Sequence, residues 1–110
     1  MLASTVVSTW RIAVPFSDNR AYQFSETGIA GNAPIRSGVY GIFNSIAWIY
    51  VGEAGDMQKR LYEHYRKQSE QSSRIWARNP TGFMFEEVAG EQARKAREAV
   101  LIRELKPTAQ

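Results

Sequence analysis

The stretch that decides the fold is GVYGIFNSIAWIYVGEAGDMQKR, residues 38–60. Its first part alternates small and apolar side chains, and residues 47–52 are almost wholly apolar, so the pattern predicts two strands. Asn44 and Ser45 are suited to a turn between them, because both residue types favour turns. We therefore expect a β-hairpin at the centre of the fold.

A helix is predicted directly after the hairpin. Asp56 is a good N-cap, and we expect the helix to run to about Gln68. Three side chains follow the i, i+4, i+8 spacing of an inward face: Met57, Leu61 and Tyr65. Three others share the adjoining basic face: Arg60, His64 and Lys67.

The chain after this helix completes the predicted core. Residues 69–73 indicate a polar linker, followed by one further helical turn before Pro80. Residues 82–88 are expected to form a third strand. A last helix is predicted over Glu91–Leu105, ending before Pro107. Apolar side chains nearly surround its second half, so we expect it to be buried against the sheet.

The residues before the hairpin carry no recognisable chemistry. Residues 3–16 favour one or two short strands, and residues 21–26 alternate as a further strand would. Asn32 to Pro34 predicts a turn into the hairpin. We expect residues 1–36 to form a β-rich extension that covers a sheet edge, and residues 37–110 to form the core.

Length and composition bound the class of protein. A chain of 110 residues is long enough for one domain but not two. It has no cysteine, which excludes disulfides, cysteine nucleophiles and cysteine-bound zinc. No apolar run approaches the ~20 residues that cross a bilayer, so we expect a soluble, cytoplasmic protein without membrane contact.

The positive charge is concentrated in the second half of the chain. The formal net charge is +3, and residues 56–110 hold all of the excess, with eleven Lys and Arg against eight Asp and Glu. A one-sided excess suits a polyanion such as nucleic acid. It is also typical of a solvated helix face, so charge alone leaves both interpretations open.

Glu98 is the most unusual placement among the charged residues. Helical geometry puts it in the sector between Ile102 and Leu105, on the apolar side of the last helix. A carboxylate there costs several kcal/mol, on the order of 3–5, unless it is paired, hydrogen-bonded or bound to a metal. Two explanations stay open: a salt bridge to Arg94 one turn back, or a ligand for Mg²⁺ or Mn²⁺.

Several separated motifs together resemble the GIY-YIG nuclease family. GVY stands at 38–40 and YVG at 50–52, Arg60 follows Tyr50 by ten residues, and Glu98 precedes Pro107 by nine. The resemblance covers residues 37–110. It implies an α+β fold, with a small, mainly antiparallel three-stranded sheet flanked by helices and an N-terminal strand or hairpin added.

The same resemblance implies roles for individual residues. The expected catalytic residues are Tyr40, Tyr50, Arg60, His64 and Glu98. Tyr40 resembles the general base, although an ordinary pKa near 10 makes tyrosine a poor base at neutral pH without nearby cations. Glu98 resembles the ligand of a single Mg²⁺ or Mn²⁺. The expected substrate contacts are Gly52, Lys59, Lys67 and Gln110.

Two residues depart from the family pattern. Gln110 stands where the family has a closing Asn, and Glu53 adds a negative charge after YVG. The resemblance implies a metal-dependent endonuclease acting on DNA or structured nucleic acid, with a homodimer or protein partner supplying specificity. Two alternatives remain: a nucleic-acid-binding module that cleaves weakly or not at all, and an interaction domain whose N-terminal part docks a partner.

Overall fold

A computed structural model describes residues 16–18 and 20–110 of the chain. Four strands and four helices follow one another in this part: β1 (Tyr22–Gln23), α1 (Glu26–Asn32), β2 (Gly38–Phe43), β3 (Trp48–Ala54), α2 (Met57–Tyr65), α3 (Ser72–Trp76), β4 (Gly82–Glu87) and α4 (Glu91–Leu105). The predicted hairpin is β2–β3. The predicted α+β class is confirmed.

One antiparallel sheet carries all four strands, in the order β1-β4-β2-β3. The central strand β2 pairs with β3 on one side and with β4 on the other, and these are the three predicted strands. The register sets Tyr40 opposite Gly52 on β3 and opposite Phe85 on β4. The short β1 adds a fourth strand at the outer edge of β4.

The two faces of the sheet bury separate apolar clusters. Because side chains alternate along β2, Tyr40 and Ile42 enter one cluster and Val39 enters the other. Leu61 of α2 is fully buried in the first cluster, and burial of such a side chain stabilises the fold by about 1.5–3 kcal/mol. Leu101 of α4 is fully buried in the second.

The region before the hairpin differs from the sequence prediction. Of the strand expected over 21–26, only the two residues of β1 form, and α1 follows where no helix was expected. The Ser25 hydroxyl caps α1 by accepting a hydrogen bond from the Gly28 N–H at 2.9 Å. Ile29 is fully buried. This burial and the cap outweigh the low helix propensity of the two glycines in α1.

Of the predicted cover for a sheet edge, the described residues contain β1. β1 pairs with β4 through Tyr22 opposite Phe83 and Gln23 opposite Gly82. The strands predicted within residues 3–16 lie outside the described residues, except for Phe16, which is buried.

The helix α2 begins as predicted and ends earlier. The Asp56 carboxylate accepts a hydrogen bond from the Lys59 N–H at 3.0 Å, which confirms the N-cap. The helix ends at Tyr65 rather than near Gln68. Lys67 has a φ of 61°, so the chain leaves the helical path there, and the prediction that Lys67 shares a helix face with Arg60 is wrong.

The last helix has the predicted bounds, but it is less buried than expected. Leu101 is its only fully buried residue, while Val100, Ile102 and Leu105 are half-buried. The tail beyond it lies along β3, where the Thr108 N–H donates to the Trp48 carbonyl at 3.0 Å. In the part of the chain that the structure describes, no helix combines the length and apolar character needed to span a bilayer.

Candidate active site

The two signature tyrosines lie side by side on β2 and β3. The ring centroids of Tyr40 and Tyr50 are 6.4 Å apart, and the residues are 1% and 8% exposed. Burial raises the pKa of both hydroxyls, that of Tyr40 well above its ordinary value. Both are therefore neutral phenols at neutral pH. A general-base role for Tyr40 would need the phenolate form that burial opposes.

Gly52 provides the space that the Tyr40 ring occupies. A Cβ placed on Gly52 would lie 2.3 Å from the Tyr40 hydroxyl oxygen and 2.5 Å from the ring carbon that bears it. No side chain fits there without displacing the phenol. The structure thus gives Gly52 a packing role beneath Tyr40, and the expected substrate contact stays a prediction.

His64 is fully buried beneath the two tyrosines. Its Nε2 lies 2.7 Å from the Tyr40 hydroxyl oxygen, and its ring meets that of Tyr50 edge to face with centroids 5.2 Å apart. Burial, followed by the charge of Arg60, lowers the pKa of His64 to about 3. The imidazole is therefore neutral at physiological pH, so it is not a cation available to a phosphate.

Arg60 lies one helical turn before His64 and is held on two sides. One guanidinium nitrogen donates to Glu63 Oε1 and another to Gln71 Oε1, both at 2.9 Å. Its side chain is 33% exposed. Arg60 also acts on the Tyr40 hydroxyl through charge and hydrogen bonding, although too weakly to offset the effect of burial on the Tyr40 pKa. A planar, preoriented guanidinium of this kind suits a phosphate oxygen.

Glu98 lies on α4 and acts on the two tyrosines through its charge. Its negative charge is one of the smaller causes that raise the pKa of both Tyr40 and Tyr50. Burial, and then the charge of Glu53, raises the pKa of Glu98. The alternative of a salt bridge between Glu98 and Arg94 is wrong. Arg94 instead pairs with Glu53 at 2.9 Å.

The Glu98 carboxylate has the chemistry of a ligand for a divalent cation. Carboxylate oxygens suit a hard metal ion such as Mg²⁺, and within residues 16–18 and 20–110 those of Glu98 take part in no hydrogen bond or ion pair. The described residues include no group of three or more His, Asp and Glu arranged around a metal position. A cation here would take Glu98 as its carboxylate and draw other oxygens from water and substrate phosphate.

Two of the expected substrate contacts lie apart from this cluster. Lys59 is exposed on α2, beside a shallow groove lined by Asp56, Tyr62 and Arg66. The Lys67 ammonium lies over the Trp76 ring, 5.4 Å from its centroid. Neither ammonium group takes part in the contacts that join the tyrosines, His64 and Arg60.

Gln110 is held against the strand that carries Tyr50. Its side-chain amide accepts from the Val51 N–H at 2.9 Å and donates to the Val51 carbonyl at 2.8 Å. Val51 lies between Tyr50 and Gly52, so Gln110 fixes the backbone of the YVG segment. Two hydrogen bonds give the longer side chain a defined position against the strand, and its expected contact with substrate stays a prediction.

Sequence reasoning missed two polar residues that contact Arg60 and His64. Gln71 holds Arg60, and Ser69 lies 2.7 Å from His64 Nδ1. Both belong to the polar stretch interpreted as a linker, whose composition carries no signal of such contacts. The folded chain brings them to the cluster because α2 ends abruptly and the chain turns back across its last turn.

The comparisons with known proteins agree with this architecture. The family model described as the GIY-YIG catalytic domain matches residues 36–110. Solved structures of the GIY-YIG N-terminal endonuclease domain of UvrC from Thermotoga maritima align with a TM-score of 0.64. The magnesium-bound structure is 28% identical, with 78% of this chain and 98% of that chain covered. A point mutant bound to its catalytic divalent cation is also 28% identical, with 78% and 97% covered.

No curated protein matches the sequence. The family match nevertheless extends from the residues before β2 through α4 and the tail that lies along β3. It includes both signature strands and the two helices that bring Arg60 and Glu98 to them. With the sequence match and the solved structures in agreement, the chain belongs to the GIY-YIG family.

Proposed function

We propose that this chain is a metal-dependent endonuclease that hydrolyses phosphodiester bonds in DNA or structured nucleic acid. One observation supports the proposal: the rings of Tyr40 and Tyr50 lie side by side, and the charges of Arg60 and Glu98 act on both hydroxyls, although these residues come from β2, β3, α2 and α4. Each group has a use in phosphoryl transfer, and few other reactions need all of them.

Arg60 binds a phosphate oxygen and offsets the charge that builds at phosphorus. Its present partner Glu63 lies on the surface of the same helix, with a side chain 30% exposed. A phosphate that arrives at Arg60 competes with this ion pair, which is worth only about 0.3–0.5 kcal/mol on a helix surface. Replacing the ion pair with Glu63 by a phosphate contact therefore costs little free energy.

Tyr40 orients the attacking water. Its hydroxyl hydrogen is directed to His64, because Nε2 is its hydrogen-bond partner within the described structure. The lone pairs of the oxygen can then accept a hydrogen from water, which aligns the water oxygen towards the phosphate. Tyr50, which is less buried, orients the phosphate or the water from the next strand.

Glu98 would hold the divalent cation, which would supply Lewis acidity to polarise the phosphate oxygens and stabilise the leaving oxygen. The UvrC structures bind a catalytic divalent cation, and in one of them it is magnesium. That precedent and the open carboxylate of Glu98 support Mg²⁺, and Mn²⁺, with its similar preference for oxygen ligands, is the second candidate.

The test is cleavage of supercoiled plasmid and of branched DNA in Mg²⁺ or Mn²⁺. We expect Glu98→Ala and Arg60→Ala each to lower the cleavage rate by at least ~100-fold, the usual effect of removing a group that stabilises transition-state charge. Glu91→Ala on the exposed first turn of α4 and Arg78→Ala after α3 are matched controls, since both residues are exposed and outside the cluster. If Glu98→Ala and Arg60→Ala cut as fast as the parent, the assignment is wrong.

The same preparation tests the rival function of a binding module that does not cleave. Phosphate contacts release counterions, so binding of DNA by either kind of protein weakens steeply as salt rises. A parent protein that binds DNA with this salt dependence but never cuts would replace the nuclease proposal with the binding module. A binding affinity that does not change with salt concentration would favour the interaction domain.

A further inference from the structure

The end of α2 brings a serine against the buried histidine. The Gln68 N–H donates to the Glu63 carbonyl at 2.8 Å and the Lys67 N–H to the His64 carbonyl at 3.3 Å. With Lys67 left-handed, this is a Schellman motif, in which the chain reverses over the last helical turn. The reversal places Ser69 directly behind His64.

A continuous row of hydrogen bonds runs from Tyr40 to the end of the helix. Tyr40 Oη lies 2.7 Å from His64 Nε2, and His64 Nδ1 lies 2.7 Å from Ser69 Oγ. Ser69 Oγ lies 2.7 Å from Ser72 Oγ, and Ser72 Oγ donates to the Glu63 carbonyl at 3.4 Å. The row has a direction, because every hydroxyl in it has a single hydrogen to donate.

The serine end of the row favours one direction. The Glu63 carbonyl can only accept, so Ser72 is the donor of the long 3.4 Å contact to it, and Ser72 Oγ accepts from the Ser69 N–H at 3.0 Å. With the Ser72 hydrogen directed there, Ser69 donates its own hydrogen to Ser72. With that hydrogen used, Ser69 Oγ can only accept from His64, which requires a hydrogen on Nδ1.

The tyrosine end gives the same direction independently. Tyr40 is 1% exposed, and within the described part of the chain its hydroxyl hydrogen has His64 Nε2 as its acceptor. The neighbouring Arg60 can only donate. If Nε2 carried the hydrogen, two hydrogens would compete for one contact and the Tyr40 hydroxyl would lose its acceptor. A buried donor without a partner costs about 1–3 kcal/mol.

We propose that Ser69 and Ser72 are positioning residues that hold His64 in the Nδ1–H tautomer, and that this tautomer makes the Tyr40 oxygen an acceptor towards the reaction site. In the opposite tautomer, Nε2–H would donate to Tyr40, and the Tyr40 hydrogen would point at the attacking water. The role in catalysis rests on the proposed nuclease function. The tautomer itself does not.

The groups around His64 keep its ring neutral, so the ring differs only in which nitrogen carries the hydrogen. The groups that face it are the phenols of Tyr40 and Tyr50 from the sheet and the cation of Arg60 from its own helix, while the Glu98 carboxylate of α4 acts on the two phenols. With its pKa lowered to about 3, the ring stays neutral over the range in which a nuclease is assayed. A neutral ring has one hydrogen, and the row decides which nitrogen carries it.

The chain has a single histidine, so nitrogen NMR reads the tautomer without ambiguity. The experiment records the two ring ¹⁵N shifts of the full chain at pH 7, for the parent and for Ser69→Ala, Ser72→Ala and Ser69→Thr. Ser73→Ala is the matched control, because Ser73 is exposed on the same short helix. We expect the parent and Ser73→Ala to show a protonated Nδ1 and a bare Nε2.

Ser69→Ala removes the acceptor for Nδ1–H, and we expect the tautomer ratio to move about three- to tenfold towards Nε2–H, as befits the loss of one buried hydrogen bond. Ser72→Ala should move it in the same direction by less, and Ser69→Thr should restore it. In the cleavage assay, Ser69→Ala should lower kcat with KM unchanged, and Ser69→Thr should recover kcat.

A parent ring with hydrogen on Nε2 would overturn the proposal. So would a folded Ser69→Ala protein with an unchanged tautomer ratio. If Ser69→Ala does not fold, Ser72→Ala and Ser69→Thr decide the question by the same ratio. A parent that shows the Nδ1–H form but cuts no nucleic acid would overturn the nuclease function and leave the tautomer assignment supported.

Discussion

Gly52→Ala is expected to disrupt the site because the added methyl group displaces the Tyr40 hydroxyl. The new methyl would start 2.3 Å from the Tyr40 hydroxyl oxygen. To restore an ordinary van der Waals distance, the phenol must retreat by about 1 Å. Tyr40 is 1% exposed, so its ring must retreat against the residues that surround it. Overpacking of this kind costs about 1–3 kcal/mol of stability.

The same retreat should reach His64 and the chemistry. A shift of about 1 Å in the Tyr40 hydroxyl changes the length or the angle of its 2.7 Å hydrogen bond with His64 and so weakens it. A misplacement of that size costs on the order of 100-fold in rate. The measurements are the free energy of unfolding in urea, the ¹⁵N shifts of His64, and plasmid cleavage in Mg²⁺.

Two other glycines are matched controls for the added methyl. A Cβ at Gly55, between β3 and α2, or at Gly31 in α1 would meet no atom within 4 Å. Gly55→Ala should leave the stability, the His64 shifts and the cleavage rate near those of the parent. Gly31→Ala should add about 0.5–1 kcal/mol of stability because alanine favours a helix. A Gly52→Ala protein with the stability, His64 shifts and cleavage rate of Gly55→Ala would refute the packing argument.

Three further changes test the groups around this contact. Because the folded pKa of His64 lies below its unfolded value, stability is fully present above pH 6.5 and should fall by about 1.4 kcal/mol per pH unit between pH 6 and 4. Urea titrations at each pH should show a smaller slope for His64→Gln, and equal slopes would contradict the assignment. Glu98→Gln should abolish Mn²⁺-induced line broadening near Tyr50. It should also stabilise the fold at pH 7, because folding disfavours the ionised Glu98 carboxylate. This gain in stability should vanish below the pKa of Glu98 in the unfolded chain. Gln110→Ala leaves the Val51 N–H and C=O without their partners, so we expect a loss of about 1–2 kcal/mol in thermal unfolding, whereas Gln92→Ala on an exposed turn of α4 should be neutral.

The parts of the fold that could be predicted are those with local signals. Asp56 marks the start of α2 because its carboxylate caps the helix within three residues. The bounds of α4 follow from Gly90 before it and Pro107 after it. The β2–β3 hairpin follows from alternation and a turn, and the four residues between its strands are closed by Asn44, whose side chain accepts from the Ala47 N–H at 2.9 Å.

The parts that could not be predicted depend on contacts between distant residues. The helix α1 contains two glycines and forms because Ile29 is buried by the rest of the core. The burial of His64 could not be predicted either. Helical spacing placed His64 on one face of α2, but it did not show which element covers that face. In the structure this element is α3 with its flanking residues. The Trp76 indole N–H donates to the His64 carbonyl at 3.1 Å. Neither contact leaves a pattern in the sequence.

The predictions of a cytoplasmic location and of a homodimer or protein partner remain predictions. They concern the surroundings of the chain, whereas the contacts described here are internal to it.

The tail beside β3 has a consequence for self-association. An uncovered outer strand is a template on which a second molecule can add its own strand, which is a common beginning of aggregation. Here the carbonyls of Trp48 and Ile49 accept from the tail, and the Gln110 amide occupies both polar groups of Val51. The tail thus occupies backbone groups at residues 48–51 of β3, which would otherwise be available for pairing with the strand of a second molecule.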